Sequence, residues 1–339
     1  MTKATIAFVM ALQLRQAPLL DLDRDKVLFV PPGGFDRASW SVKQGFNVLI
    51  LGDRGQGKTS VLHQLELDLR QEQPNRNIAF VDLAGADSVA DALRLLVSGG
   101  AESLGEPLVW APPLPRPNEP EDERSIRASL SQLTALEPCS LFIDNINAEE
   151  VGFSLFGVLR DRLWETPHQW VVAAQKADRR WLLRAPADAF WEEVIQLDYS
   201  AEAAEELLER RLQSRPSWIA ALVQNVGTNP RRLLRAALAA THDNEKPANV
   251  LRIWEDWHER LASLDRRSSM LMAELSGRPP VSASDPDLLQ SLGWARTSLL
   301  KTLETLEEQG LVESWTEPAG TGRPRRLFTT TEPGRPRRG

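Results

Sequence analysis

The sequence predicts an α/β fold built on a parallel sheet, followed by a small all-helical segment and a C-terminal winged helix-turn-helix. Three observations carry that reading. The stretch Gly52-Asp53-Arg54-Gly55-Gln56-Gly57-Lys58-Thr59 fits G-x-x-x-x-G-K-[ST], a phosphate-binding loop, and it sits between a strand-like run and a helix. Apolar runs then alternate with helical stretches as far as Asp198, the pattern of parallel strands covered by helices on both faces. Beyond Asp198 the periodicity is helical until two short strand-like runs near the C-terminus.

The phosphate loop comes first. Residues 46–51 are an apolar run of strand formers, and Val61, Leu62, Leu65 and Leu69 follow at helical spacing. Gly52, Gly55 and Gly57 are expected to adopt backbone angles that side chains forbid, so that loop N–H groups can point at phosphate oxygens. The start of the helix adds positive potential there. Lys58 is expected on the β- and γ-phosphates and the Thr59 hydroxyl on Mg²⁺. The expected nucleotide-binding set is therefore Gly52, Asp53, Arg54, Gly55, Gln56, Gly57, Lys58, Thr59 and Ser60, with ATP and Mg²⁺ as cofactors.

A chain of 339 residues exceeds one ordinary core. The expected divisions are an N-terminal extension (1–28), a nucleotide-binding core (29–199), a helical lid (200–247), a linker helix (248–264) and a winged helix (265–339). Hydrophobic residues at 42% and charged residues at 26% are globular values. No apolar run approaches the roughly 20 residues of a membrane helix, so no membrane partner is expected. Residues 4–12 read as structure rather than a signal peptide, and a nucleotide site implies the cytoplasm. The lone Cys139 precludes an internal disulfide, and four His with one Cys show no ligand spacing for a further metal. Net charge is −7, yet Arg323, Arg325 and Arg326 and then Arg335, Arg337 and Arg338 make the C-terminal stretch basic.

In chain order, residues 27–30 read as a short strand and 35–43 as a short helix leading to the phosphate loop. Phe29 and Phe35 stand where an adenine could rest, with core packing as the alternative. Residues 77–83 form a second strand and 87–97 a helix capped by Asp87 or Ser88. The Pro-rich, acidic stretch 107–123 reads as an exposed loop, and 125–136 as a helix. Leu141-Phe142-Ile143-Asp144 is an apolar strand ending in a carboxylate, the pattern in which Asp144 helps hold Mg²⁺. A helix at 154–164 precedes strands at 170–175 and 194–197, and Gln175 at a strand end is placed to orient an attacking water. Helices follow at 201–213, 216–226 and 230–242, and Arg231 at the start of the last could lean over the nucleotide. A Trp-bearing helix spans 251–261.

From Asp265 onward, three helices and a basic hairpin make a winged helix-turn-helix. Its last helix, 295–309, buries Leu299, Leu300, Leu303 and Leu306. That leaves Arg296, Thr297, Ser298, Lys301, Thr302 and Thr305 outward, a polar and basic face suited to DNA. Glu304, Glu307 and Glu308 would repel DNA, so the helix is expected to enter a groove by its first two turns. Arg323, Arg325 and Arg326 in a flexible turn would grip phosphates or the minor groove.

These motifs together resemble an AAA+ ATPase. The order of phosphate loop, Asp144, strand-end Gln175, helical lid and Gly-x-x-Pro-Arg ending at Arg231 is similar to that family over residues 27–243. With the winged helix, the chain resembles the replication-initiator (origin-recognition) group, and also STAND-type signalling NTPases and AAA+ regulators of transposition. The segment from Asp265 is similar to the winged helices of MarR-type bacterial repressors. The resemblance implies ATP-dependent switching coupled to double-stranded DNA, with catalytic roles for Lys58 and Asp144, Gln175 as sensor 1 and Arg231 as sensor 2. It also implies a homo-oligomer or an AAA+ partner subunit whose arginine completes the site, with Arg179, Arg180 and Arg184 as candidates. The STAND branch would instead dock a protein effector, and a metabolic kinase is a remote third reading. One departure stands out. Where hydrolytic members carry Glu after the Walker B Asp, this chain has Asn145, which cannot take a proton at neutral pH. The expectation is tight ATP binding with slow hydrolysis.

Overall fold

The order of strands is what a one-dimensional reading could not provide. The computed structural model describes residues 14–20, 25–105, 120–146, 148–241, 247–276, 278–318 and 324–333, in two units, Ala17–Ala203 and Ala204–Gly339 with Met1–Gln16. In the first unit the elements run α1 (Phe35–Lys43), β1 (Val48–Gly52), α2 (Lys58–Glu72), β2 (Asn77–Asp82), α3 (Val89–Leu104), α4 (Glu121–Ala135) and β3 (Cys139–Asp144). They continue with α5 (Glu149–Phe153), a π-helical turn Ser154–Val158, α6 (Arg160–Trp164), β4 (Gln169–Gln175), α7 (Arg179–Leu182) and β5 (Glu193–Gln196). The strands form one parallel sheet in the order β2-β3-β4-β1-β5.

β1 and β3 are buried at every position, as befits strands covered on both faces. On one face Phe35 and Val42 of α1 and Val61, Leu62, Leu65 and Leu69 of α2 pack on Ile50, Phe142 and Val171. On the other, Leu93 and Leu96 of α3, Leu133 of α4 and Phe156 pack on Leu141, Trp170 and Val172. Phe29 and Phe35 belong to the first of these cores, their rings 5.2 Å apart, so both are packing residues. A buried polar knot closes the amino end of the sheet. Arg76 donates to Ser140 Oγ (2.7 Å) and Gln169 Oε1 (2.6 Å), while Gln169 Nε2 donates to the carbonyls of Val42 and Phe46 (2.8 Å each).

Several elements depart from the sequence reading. Residues 27–30 form no strand: Lys26–Leu28 is a 3-10 turn, and Phe29 and Val30 are buried as irregular chain. Four apolar residues are too few for periodicity to distinguish these outcomes. The acidic residues Glu121, Asp122 and Glu123 are the first turn of α4, where they complement the helix dipole, rather than part of a loop. The Pro-rich residues 107–117 lie outside the described residues, as do 1–13. The expected helix at 154–164 is broken by the π turn, next to Gly152, where an added Cβ would meet Trp181 Cζ3 at 2.2 Å.

The second unit holds α8 (Ala201–Leu212, beginning just before the division), α9 (Ile219–Val226), α10 (Pro230–Thr241) and α11 (Pro247–Ala262), whose Trp254 and Trp257 are buried. Then come α12 (Arg266–Ser276), β6 (Val281–Ser282), α13 (Pro286–Leu292), α14 (Arg296–Glu308), β7 (Val312–Glu317) and β8 (Arg325–Thr330). Three helices and the antiparallel sheet β6-β8-β7 make the winged helix-turn-helix. β6 adds a third strand to the hairpin, with Val281 paired to Phe328. Within this unit Arg232 and Arg235 of α10 both form ion pairs with Glu332, which follows β8.

Candidate nucleotide-binding site

β1 ends at Gly52, and α2 begins six residues later at Lys58. The loop between them turns through Gly55 (φ +89°) and Gly57 (φ +77°), angles that L side chains rarely adopt. Gly52 has no positive φ, contrary to expectation. Its need is for space, since an added Cβ would lie 3.1 Å from Gln56 Oε1 and 3.3 Å from Lys58 Cγ. Gly57 is the N-cap of α2 and brings no side-chain acceptor, so the first-turn N–H groups of Lys58 and Thr59 face the loop uncapped. That is a ready anion site. Two donors are already spent: the Asp53 N–H goes to Gln56 Oε1 at 2.6 Å, and the Gln56 N–H goes to the Asp53 carbonyl at 3.2 Å. Arg54 is exposed on the outside of the loop.

Lys58 arches back over the loop, donating to the carbonyls of Gly52 (2.9 Å) and Asp53 (3.1 Å). Its ammonium therefore sits above the cradle where phosphate charge would lie. The Thr59 hydroxyl donates to Asp144 Oδ2 at 2.5 Å, and the Asn145 N–H donates to Asp144 Oδ1 at 2.9 Å. Asp144 is only 3% exposed. A hydroxyl and one carboxylate are hard oxygen donors suited to Mg²⁺, which takes one or two carboxylates and completes its shell with waters and substrate phosphates. Ser60 is engaged elsewhere: its hydroxyl accepts the Leu19 N–H at 3.0 Å.

Because β4 lies between β1 and β3, Gln175 comes beside the phosphate loop, in register with Gly52. It is tied into a capping box. Its side chain accepts the Asp178 N–H, and its own N–H donates to Asp178 Oδ2 at 2.9 Å. Sequence reading missed Asp178. Burial raises its carboxyl pKa, while the Gln175 N–H, the Trp181 side chain and the nearby Lys58 charge pull it back. The available signal was the polar residue at N3 of a short helix after a strand-end Gln.

Asn145 takes a left-handed backbone (φ 60°), which Asn tolerates better than most residues. Its side-chain amide donates to Asp82 Oδ1 at 2.9 Å. Glu149 faces Arg180 (3.2 Å) and Arg184 (3.9 Å), whose guanidinium also stacks 4.0 Å from the Phe153 ring. Arg179 is exposed. Arg231 is the second residue of α10, in the other unit.

In the winged helix, Arg296, Thr297 and Lys301 are exposed and Ser298 is half-buried on the first turns of α14. Thr302 is not outward as expected: it is 8% exposed, and its hydroxyl donates to the Ser298 carbonyl. Arg325 and Arg326 do not lie in a flexible turn; they open β8. Arg326 reaches Glu307 at 2.5 Å and Glu304 at 3.3 Å, so two of the three carboxylates that would oppose DNA have a cation against them. Arg323 lies outside the described residues.

No protein-family model matches the sequence, and no curated protein does. Solved structures similar to the chain include the Orc1 protein of Aeropyrum pernix in complex with DNA, at 15% identity and TM-score 0.47 over 90% of this chain and 92% of that one. Cdc6p from Pyrobaculum aerophilum is similar at 17% identity and TM-score 0.48, covering 91% and 94%. The RuvB Holliday junction branch migration motor of Thermotoga maritima follows at 19% identity and TM-score 0.42, covering 88% and 90%. No helix among the described residues is long and apolar enough to cross a membrane. With its glycine-turned loop between β1 and α2, its β2-β3-β4-β1-β5 parallel sheet and its C-terminal three-stranded wing, the chain has an α/β fold with a five-stranded parallel sheet, followed by helices and a winged helix-turn-helix.

Proposed function

We propose that the chain is an ATP-binding switch with slow hydrolysis, which couples its nucleotide state to DNA binding through the winged helix. The observation that carries this is the 2.5 Å contact between Thr59 and Asp144 beside a glycine-turned loop roofed by Lys58. Main-chain N–H groups of Gly55, Gly57, Lys58 and Thr59 would take phosphate oxygens, and Lys58 would exchange loop carbonyls for the β- and γ-phosphates. Thr59 and Asp144 would hold Mg²⁺. The ion's chemistry there is to neutralise charge on the phosphates. The Gln175 side-chain amide, with its oxygen held by Asp178, keeps its N–H protons for a water or the γ-phosphate. Arg231 and a partner's arginine are proposed to complete the site.

On the DNA side, Arg296 and Lys301 would contact phosphates or base edges, with Thr297, Ser298, Arg323 and Arg325 proposed as further contacts. A second reading is favoured by the engagement of Arg326 with Glu304 and Glu307, which removes one wing cation. In it the module docks a protein effector, as in a signalling ATPase. Duplex DNA titrations in rising salt decide between them. The DNA reading expects Arg296→Ala with Lys301→Ala to weaken binding and lower the salt slope by about 2, roughly 0.9 per phosphate contact. DNA binding unchanged by the pair of substitutions, with or without ATP, would leave the effector reading.

A further inference from the structure

Asn145 cannot accept a proton, so a carboxylate that could do so must come from elsewhere along the same edge. Four carboxylates at or just after the strand ends differ in their partners. Both oxygens of Asp144 are taken, one by Thr59 and one by the Asn145 N–H. Glu149 faces two arginines. Asp178 accepts the Gln175 N–H and is held by the Trp181 side chain. Asp82 differs. It ends β2 in register with Asp144 at the end of β3, so it stands on the carboxyl edge of the sheet, one strand beyond the Thr59–Asp144 contact. Parallel neighbours are roughly 4.8 Å apart. Its Oδ1 is fixed by two donors, the Asn145 side-chain amide (2.9 Å) and the Ala84 N–H (2.9 Å). Its Oδ2 has no partner among the described residues, and the residue is exposed.

Resting on the ATPase reading above, we propose that Asp82 is the general base for hydrolysis and that Asn145 is its positioning residue. The pair would divide between two side chains what a single Glu does elsewhere: Asn145 sets the direction, and Asp82 supplies the basic oxygen. As the water oxygen bonds to the γ-phosphorus, the bridging P–O bond breaks and its electron pair leaves with ADP. The water proton passes to Asp82 Oδ2 and then to the released phosphate. No other co-reactant is needed. The left-handed backbone of Asn145 belongs to this arrangement, since it lets the amide turn sideways toward β2 while its N–H stays on Asp144.

The test is steady-state ATP hydrolysis beside equilibrium ATP binding, on the full chain. Asp82→Asn keeps an oxygen for both donors, so the local geometry survives. It should lower kcat by about 100-fold or more with KM, ATP affinity and melting temperature unchanged. Asn145→Ala should lower kcat about tenfold, again at constant KM, because Asp82 remains but is no longer aimed. If Asp82→Asn melts early, Asp82→Ser replaces it. A kcat for the Asp82 variant within about tenfold of the parent overturns the proposal. So does a parent that binds ATP and never turns it over, which would leave the nucleotide-binding reading standing. A parent that binds no ATP removes both.

Discussion

Removing the Thr59 hydroxyl should destabilise the protein before any nucleotide is added. Asp144 is a carboxylate 3% exposed, held by two donors, Thr59 Oγ1 at 2.5 Å and Asn145 N–H at 2.9 Å. Thr59→Val keeps the β-branched shape and deletes one donor, leaving a buried charged oxygen unpaired. Hydrogen bonds to charged groups are worth about 1.5–3 kcal/mol, and the larger figure applies where the remaining partner stays buried. For a unit of this size each kcal/mol moves the melting temperature by roughly 2–4 °C, so a drop of about 3–12 °C is expected. Thr59→Ser restores the donor and should melt with the parent. Asp144→Asn removes the charge that makes the deletion costly. Adding Thr59→Val to that background should therefore cost less than about half as much as it does alone. Scanning calorimetry on the parent and the four variants reads this directly. Equal melting temperatures for parent and Thr59→Val would mean that the short contact carries no energy and that Asp144 is satisfied by solvent instead.

Two further outcomes follow from other parts of the structure. Gly152→Ala places a methyl 2.2 Å from the buried Trp181 ring, so it should destabilise by about 1–3 kcal/mol or more and shift the tryptophan fluorescence. A parent-like melt and spectrum would show that the α5–α7 packing is looser than described. Glu66 is buried beside His63 and Arg70. Burial raises its pKa, but their hydrogen bonds and charges outweigh that, and the carboxyl ends below its ordinary value of 4.5. A lowered carboxyl pKa adds stability that is present above 4.5 and lost as pH falls through the folded value. Thermal melts from neutral to acid pH should therefore fall more steeply in the parent than in Glu66→Gln, and parallel curves would contradict the pairing.

The legible parts were those with strong local causes. The turn between β1 and α2 was legible because glycine spacing, Lys58 and Thr59 fall together at a strand–helix junction. β3 and Asp144 were legible because an unbroken apolar run stops at one charge. What the sequence could not hold was lateral order. Nothing local says that β4 inserts between β1 and β3, yet that insertion brings Gln175 beside Gly52. The same limit hid the Asn145–Asp82 contact, whose partners are 63 residues apart. Arg326 illustrates a second limit. A basic residue in a hairpin reads as free charge, whereas its ion pairs with Glu304 and Glu307 depend on how β8 lies against α14. Thr302 was misplaced because a hydroxyl can turn inward onto its own helix, donating to the Ser298 carbonyl.

The most direct measurement is isothermal calorimetry of the purified chain with ATP and with ADP, in the presence and absence of Mg²⁺. Saturable uptake that Mg²⁺ strengthens for the parent, and that Lys58→Ala and Thr59→Val both weaken, is the predicted result. No heat from either nucleotide with Mg²⁺ present would contradict the account at its root.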